Sequence, residues 1–133
     1  MKKSTLIIYA SVVLGVAVVL FLQDNSKTGQ TIAEINIPQL NTAETRGQQL
    51  FDANCSVCHG KNVTGSDRGP SLIQKIYQPR FHADGAFFIA VKSGARAHHW
   101  QFGSMQPVEG VDKSDVALIV QYVRALQRAN GIK

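Results

Sequence analysis

Cys55-Ser56-Val57-Cys58-His59 constrains this chain more than any other stretch of its 133 residues. Two thiols three positions apart can add across the two vinyl groups of one porphyrin. The histidine directly after the second thiol is then carried beneath the iron, where its imidazole can be an axial ligand. The pattern is the attachment signature of a c-type haem. A structural zinc site needs four closed ligands, whereas only two cysteines exist here and no later His-x-x-x-His pair accompanies them. A thioredoxin-like pair opens a helix in a strand-helix-strand setting, and no strand pattern precedes Asn54.

The N-terminal part has a different character. Lys2 and Lys3 precede an uncharged run from Leu6 to Leu22, and the composition turns polar at Gln23. That run is longer than a usual signal core and sits at the lower limit, about 17 residues, for crossing a bilayer as a helix. No small-x-small cleavage site follows at the usual distance: Phe21-Leu22-Gln23-Asp24-Asn25 is unsuitable, and Thr31-Ile32-Ala33 lies far downstream. Residues 1–23 are therefore expected to be a retained single-pass membrane anchor rather than a cleaved signal. The lysines would stay on the cytoplasmic side, with the remainder in the periplasm or its equivalent. That compartment is compatible with the two cysteines, because thioether bonds would consume both.

Charge excludes one class of partner. The whole chain carries +5; leaving out Lys2 and Lys3, 12 Lys+Arg stand against 9 Asp+Glu, a net +3. Two haem propionates would bring this to about +1, a balance that supports no nucleic-acid partner. Residues 24–40 read as a tether, polar at first and then carrying Ile32, Ile35, Ile37 and Leu40 around Pro38. A flexible chain of that length would have an end-to-end distance of roughly 20 to 25 Å. The other reading is an ordered arm packed back onto the domain.

Residues 41–133 read as helices joined by long loops. Asn41 with Glu44 is a variant of the capping box, opening a helix through Leu50 and Phe51 to Asn54. A second helix is expected from Ala83 to Ser93, stopped by Gly94. In a third, Val116, Ile119, Val120, Val123 and Leu126 recur at helical spacing behind the cap candidates Asp112 and Ser114. A short helix around Leu72 to Tyr77 is also considered, and no alternating strand pattern of useful length occurs.

Residues 43–129 resemble the class I cytochromes c. Gly47, Gln48, Leu50 and Phe51 are similar to that family's first helix, where the glycine lets the last helix cross closely; Tyr122 is similar to the aromatic that meets it. Gly69-Pro70 resembles the loop whose proline carbonyl accepts a hydrogen bond from the axial histidine, here His59. Phe102-Gly103-Ser104-Met105-Gln106-Pro107 resembles the loop that presents the axial methionine. Many relatives place proline directly after that methionine, whereas here Gln106 intervenes. The resemblance implies an all-α cytochrome c fold, three to five helices around one covalently bound haem, preceded here by the transmembrane helix.

Met105 and Met1 are the only methionines, and Met1 begins the anchor, so Met105 is the only methionine sulfur available to the distal side of the iron. A core methionine filling a gap is the ordinary alternative, but Gly103, Pro107 and Gly110 mark an irregular loop. A His59/Met105 pair leaves no open position and suits electron transfer rather than bond chemistry. His98-His99-Trp100 stands just before the loop, and either histidine could replace Met105 on iron. More simply they lie at the surface or the haem edge, with Trp100 capping that edge or bonding a propionate. His82 reads as a helix-start or packing residue, and Arg96 as a solvated arginine by default, with a propionate partner as the other reading.

The expectation is thus a non-enzymatic electron carrier with cofactor-binding residues Cys55, Cys58, His59, Pro70 and Met105, the iron held by His59 and Met105. Its partners would be the membrane and redox proteins such as a quinol-oxidising complex and a terminal oxidase or reductase. Haem would supply much of the core, with Leu50, Phe51, Leu72, Phe87, Phe88, Ile119 and Val123 packing around it. Two other readings stand beside this one. A weakly bound Met105 would make a gas sensor or small peroxidase, and a copper site of His98, His99 and Met105 would make a metal-handling protein.

Overall fold

Asn41 starts the first helix with a reciprocal cap. Its side-chain oxygen accepts from the Glu44 backbone N–H at 2.9 Å, and the Glu44 carboxylate accepts from the Asn41 N–H at 3.0 Å, so two otherwise orphan donors are satisfied. This helix, α1, spans Thr42–Asn54. The computed structural model describes residues 35–133. It continues with a single turn, α2 (Ser56–His59), then α3 (Asp84–Ser93) and α4 (Lys113–Ala129), with 3-10 turns at Lys61–Val63 and Lys75–Tyr77. Among the described residues there is no β-strand, only one antiparallel bridge between Ala95 and Met105. The all-helical expectation, with four helices, matches.

Local signals placed three of these elements. Asp112 caps α4 by accepting from the Asp115 N–H at 2.9 Å, and Gly94 ends α3 at φ 75°. The stretch Leu72 to Tyr77 becomes only the 3-10 turn at its end. α2 was not anticipated: Cys58 and His59 both donate their N–H groups back to the Cys55 carbonyl, at 3.2 and 2.9 Å, re-entering helix one residue after α1 stops.

α1 and α4 make the principal crossing. A Cβ on Gly47 would run into the Leu118 carbonyl oxygen and stand 3.1 Å from the Tyr122 Cβ, so only glycine lets the two backbones approach this closely. One turn on, the Phe51 and Tyr122 rings meet with centroids 5.6 Å apart, tilted at 57°. Val63, Leu72, Ile119, Val123 and Leu126 complete this cluster, and Leu50 and Phe87 pack at its edge. A second cluster of Val91, Val116 and Val120 has Phe87 and Phe88 beside it. Each such side chain contributes about 1.5–3 kcal/mol by leaving water.

The irregular segment between Leu72 and Asp84 has carbonyls with no helix to receive them, and buried carbonyls must be paired. α4 supplies the donors. Buried Arg124 reaches the Tyr77 carbonyl and the Gln127 side-chain oxygen through Nη1, at 2.8 and 2.6 Å, the His82 carbonyl through Nη2, and Asp84 through Nε at 2.8 Å. Gln127, fully buried, donates to the Leu72 carbonyl at 2.8 Å.

Of the segment 24–40, residues 35–40 lie along the domain. The Asn36 N–H donates to the Asn130 side-chain oxygen, and the Asn130 amide returns to the Asn36 carbonyl, both at 2.9 Å. Leu40 packs against the first cluster. The expected anchor and the first part of the expected tether lie outside the described residues. Among the described residues no helix is long and apolar enough to cross a membrane.

Candidate functional site

Cys55 sits at the C-terminal cap of α1, its N–H bonded to the Phe51 carbonyl at 2.8 Å, and Cys58 lies one turn later on α2. Both are half-buried. Burial, and then the neighbouring Cys58, push the Cys55 thiol up to about 11.

His59 follows on the same turn. Its Nδ1 lies 2.9 Å from the Pro70 carbonyl oxygen, and because a carbonyl can only accept, Nδ1 carries the hydrogen. Nε2 is left with its lone pair, the state an axial ligand needs. Burial lowers the His59 pKa below the ordinary imidazole value, and the bond to Pro70 opposes that in part; the neutral ring is favoured.

Pro70 reaches His59 because the loop between them is folded tightly on itself. The Gly65 N–H donates to the His59 carbonyl at 2.6 Å, and the Leu72 N–H to the Val63 carbonyl at 2.9 Å. The Ser66 hydroxyl donates to the Cys58 carbonyl at 2.6 Å. Asn62 and Val63 turn the chain through left-handed backbone, φ 55° and 58°. That conformation is costly for a β-branched residue, by about 1–3 kcal/mol. Val63 is fully buried in the first cluster, and this packing opposes the strain. Gly69 is the other fixed point: a Cβ there would lie 2.8 Å from the Cys58 carbonyl oxygen.

Met105 is carried on a separate loop pinned at its base to the end of α3. Its N–H donates to the Ala95 carbonyl at 2.8 Å, Ala95 returns the bond at 3.0 Å, and the Val108 N–H reaches the Val91 carbonyl at 2.9 Å. The pairing lies against Gly94, where a Cβ would stand 2.5 Å from the Met105 carbonyl oxygen. Met105 is half-buried, while Phe102 before it is exposed.

These groups fit a covalently held haem. Two thiols stand a helical turn apart, a neutral imidazole has its free nitrogen selected by a backbone acceptor, and a thioether sits on a braced loop.

A grouping not anticipated from the sequence lies elsewhere. His82, read as a helix-start or packing residue, meets His98 and His99, and ring nitrogens of all three lie within 4.8 Å of one another. Trp100 donates its indole N–H to the Tyr77 hydroxyl at 2.9 Å. His99, at the surface, lies below the usual imidazole value through local desolvation and then the proximity of His98 and His82. His98 lies sixteen positions after His82, so no helical spacing could have joined them.

Comparison with protein families matches residues 44–127 to the model described as cytochrome c. Comparisons with curated proteins and with solved structures found no match.

Proposed function

The chain belongs to the cytochrome c family, and from that premise we propose that it is a single-electron carrier whose iron is held between His59 and Met105. Family membership implies one covalently attached haem c, which supplies a one-electron Fe(III)/Fe(II) couple. Cys55 and Cys58 hold it by thioether bonds. The hydrogen bond from His59 Nδ1 to Pro70 is the observation that carries this reading. It fixes the ring, selects Nε2 as donor and raises its donor strength. Met105, on a loop braced through Ala95, would be the second iron ligand, and such a His/Met pair would leave no open site for bond chemistry.

Residues 1–23 anchor the carrier in the cell membrane with the haem domain on the periplasmic side. The uncharged run Leu6 to Leu22 behind Lys2 and Lys3 supports this. Confinement near the bilayer raises its effective concentration toward membrane partners. Those partners are redox proteins such as a quinol-oxidising complex and a terminal oxidase or reductase.

The optical spectrum of the haem-loaded protein tests the ligand set. A low-spin spectrum with the weak ferric Met-to-iron band, lost in Met105→Ala, and no shift with carbon monoxide is expected. High-spin iron or ready carbon monoxide binding would overturn the closed carrier in favour of a sensor or peroxidase. Recovery of the protein in the membrane fraction, with the haem domain cleavable by protease from the periplasmic side only, tests the topology.

A further inference from the structure

We propose that His82, His98 and His99 form a surface binding site for a divalent transition-metal ion of the zinc or copper(II) class, separate from the haem iron. Three ring nitrogens within 4.8 Å of one another need to close by about 1–1.5 Å to bind one ion at Zn–N distances of about 2.0–2.1 Å. His98 and His99 are exposed and can make that adjustment by side-chain rotation.

Two of the rings already hold the ligand tautomer. His82 Nδ1 lies 2.7 Å from the Ile76 carbonyl oxygen, and His98 Nδ1 lies 2.6 Å from the Arg96 carbonyl oxygen. Each carbonyl can only accept, so both Nδ1 atoms carry hydrogen and both Nε2 atoms offer a lone pair. Metal-ligating histidines characteristically donate their other nitrogen to such an acceptor. The rings are also gathered in space: the His98 and His99 centroids are 4.0 Å apart, and His82 lies 5.5 Å from His99 and 6.3 Å from His98.

The two loops that meet here are held independently of any ion. Arg124 anchors the His82 carbonyl to α4, and the bond from Trp100 to Tyr77 ties the segment after His99 to the one before His82. The backbone is therefore braced before binding, and the adjustment falls to the side chains. Three neutral nitrogen donors favour zinc or copper(II) over calcium or magnesium, which take oxygen ligands. A bound ion would cross-link the start of α3 to the loop that carries Met105.

The test is calorimetric titration of full-length, haem-loaded, untagged protein with Zn2+. One ion per chain is expected, with a dissociation constant on the order of micromolar or tighter. His82→Ala and His98→Ala should each weaken it by about tenfold or more, while an unchanged haem spectrum shows that the variants are folded. Cu2+ loaded at one equivalent should give an electron paramagnetic resonance spectrum with nitrogen coupling that is lost in His98→Ala. The ferric Met-to-iron band should not change during the titration. Zn2+ affinity that is the same in His98→Ala as in the wild type would overturn the proposal, and so would metal uptake that abolishes the Met-to-iron band.

Discussion

Gly47 and Leu118 meet backbone to backbone, so that a single methyl group on Gly47 would collide with the Leu118 carbonyl oxygen. The obstacle is main chain on both sides, and no side-chain rotation can relieve it. Gly47→Ala should therefore force α1 and α4 apart and destabilise the haem-loaded protein by about 2 kcal/mol or more, despite the better helix propensity of alanine. Gly85, in the first turn of α3, has nothing within 4 Å of its would-be Cβ. Gly85→Ala should stabilise by about 0.5–1 kcal/mol. Denaturant midpoints of the two variants should move in opposite directions; a common direction would refute the crossing argument.

Arg124 and its partners differ sharply in exposure. The Arg124 side chain is 9% exposed, and that of Asp84 is 63% exposed. Removing the arginine orphans the His82 carbonyl and the buried Gln127 side-chain oxygen and leaves the Tyr77 carbonyl only its longer bond from Gln127, at 3.2 Å, whereas removing the carboxylate leaves the arginine still bound to carbonyls. Arg124→Leu should cost about 2–4 kcal/mol through the acceptors it leaves unpaired, and Asp84→Ala only about 1 kcal/mol. Urea unfolding of both variants measures the ratio, and equal losses would mean that the ion pair rather than the carbonyl pairing matters.

Gly94 bears on Met105, the proposed iron ligand, through the backbone. At φ 75° and with a Cβ position 2.5 Å from the Met105 carbonyl oxygen, an alanine would be strained by about 1–2 kcal/mol and would press on the Ala95 to Met105 pairing. Gly94→Ala is expected to weaken the ferric Met-to-iron band and to admit carbon monoxide to the reduced protein. Gly103→Ala, at a position with open space around it, incurs only the strain of its own φ and should keep the larger share of the band.

Tyr122 gives the protein an alkaline limit. Burial, and then the charge of Asp52, push its phenol up to about 12, whereas an unfolded tyrosine ionises at about 10. Between those values the unfolded chain releases a proton that the folded chain retains. The stabilisation is complete below about pH 10 and declines as pH rises toward about 12. Tyr122→Phe removes this dependence. It should cost at most about 0.5 kcal/mol at neutral pH, because the lost bond to the Asn62 side chain is long, at 3.4 Å. Denaturant midpoints against pH should converge above pH 10 for the two proteins, and parallel curves would disprove the assignment.

The sequence by itself determined what depends on a few neighbouring residues. The cysteine spacing and its histidine name the attachment chemistry, the Asn41 and Asp112 caps start their helices, and the apolar repeat through α4 marks the face that becomes the core. Phe51, Leu72, Ile119 and Val123 were legible as core on those grounds. Leu50, Phe87 and Phe88, expected beside them, pack only at the cluster edges. The roles of Gly47, Pro70 and Tyr122 were legible only through family resemblance, because each acts on a residue far away in the chain. The tertiary structure alone decided that Arg124 and Gln127 serve the carbonyls of the 72–84 segment, that Met105 pairs with Ala95, and that His82 joins His98 and His99. Helical periodicity and capping act over about four residues, whereas the pairing of a loop's backbone groups is settled by whichever donors the folded chain brings alongside.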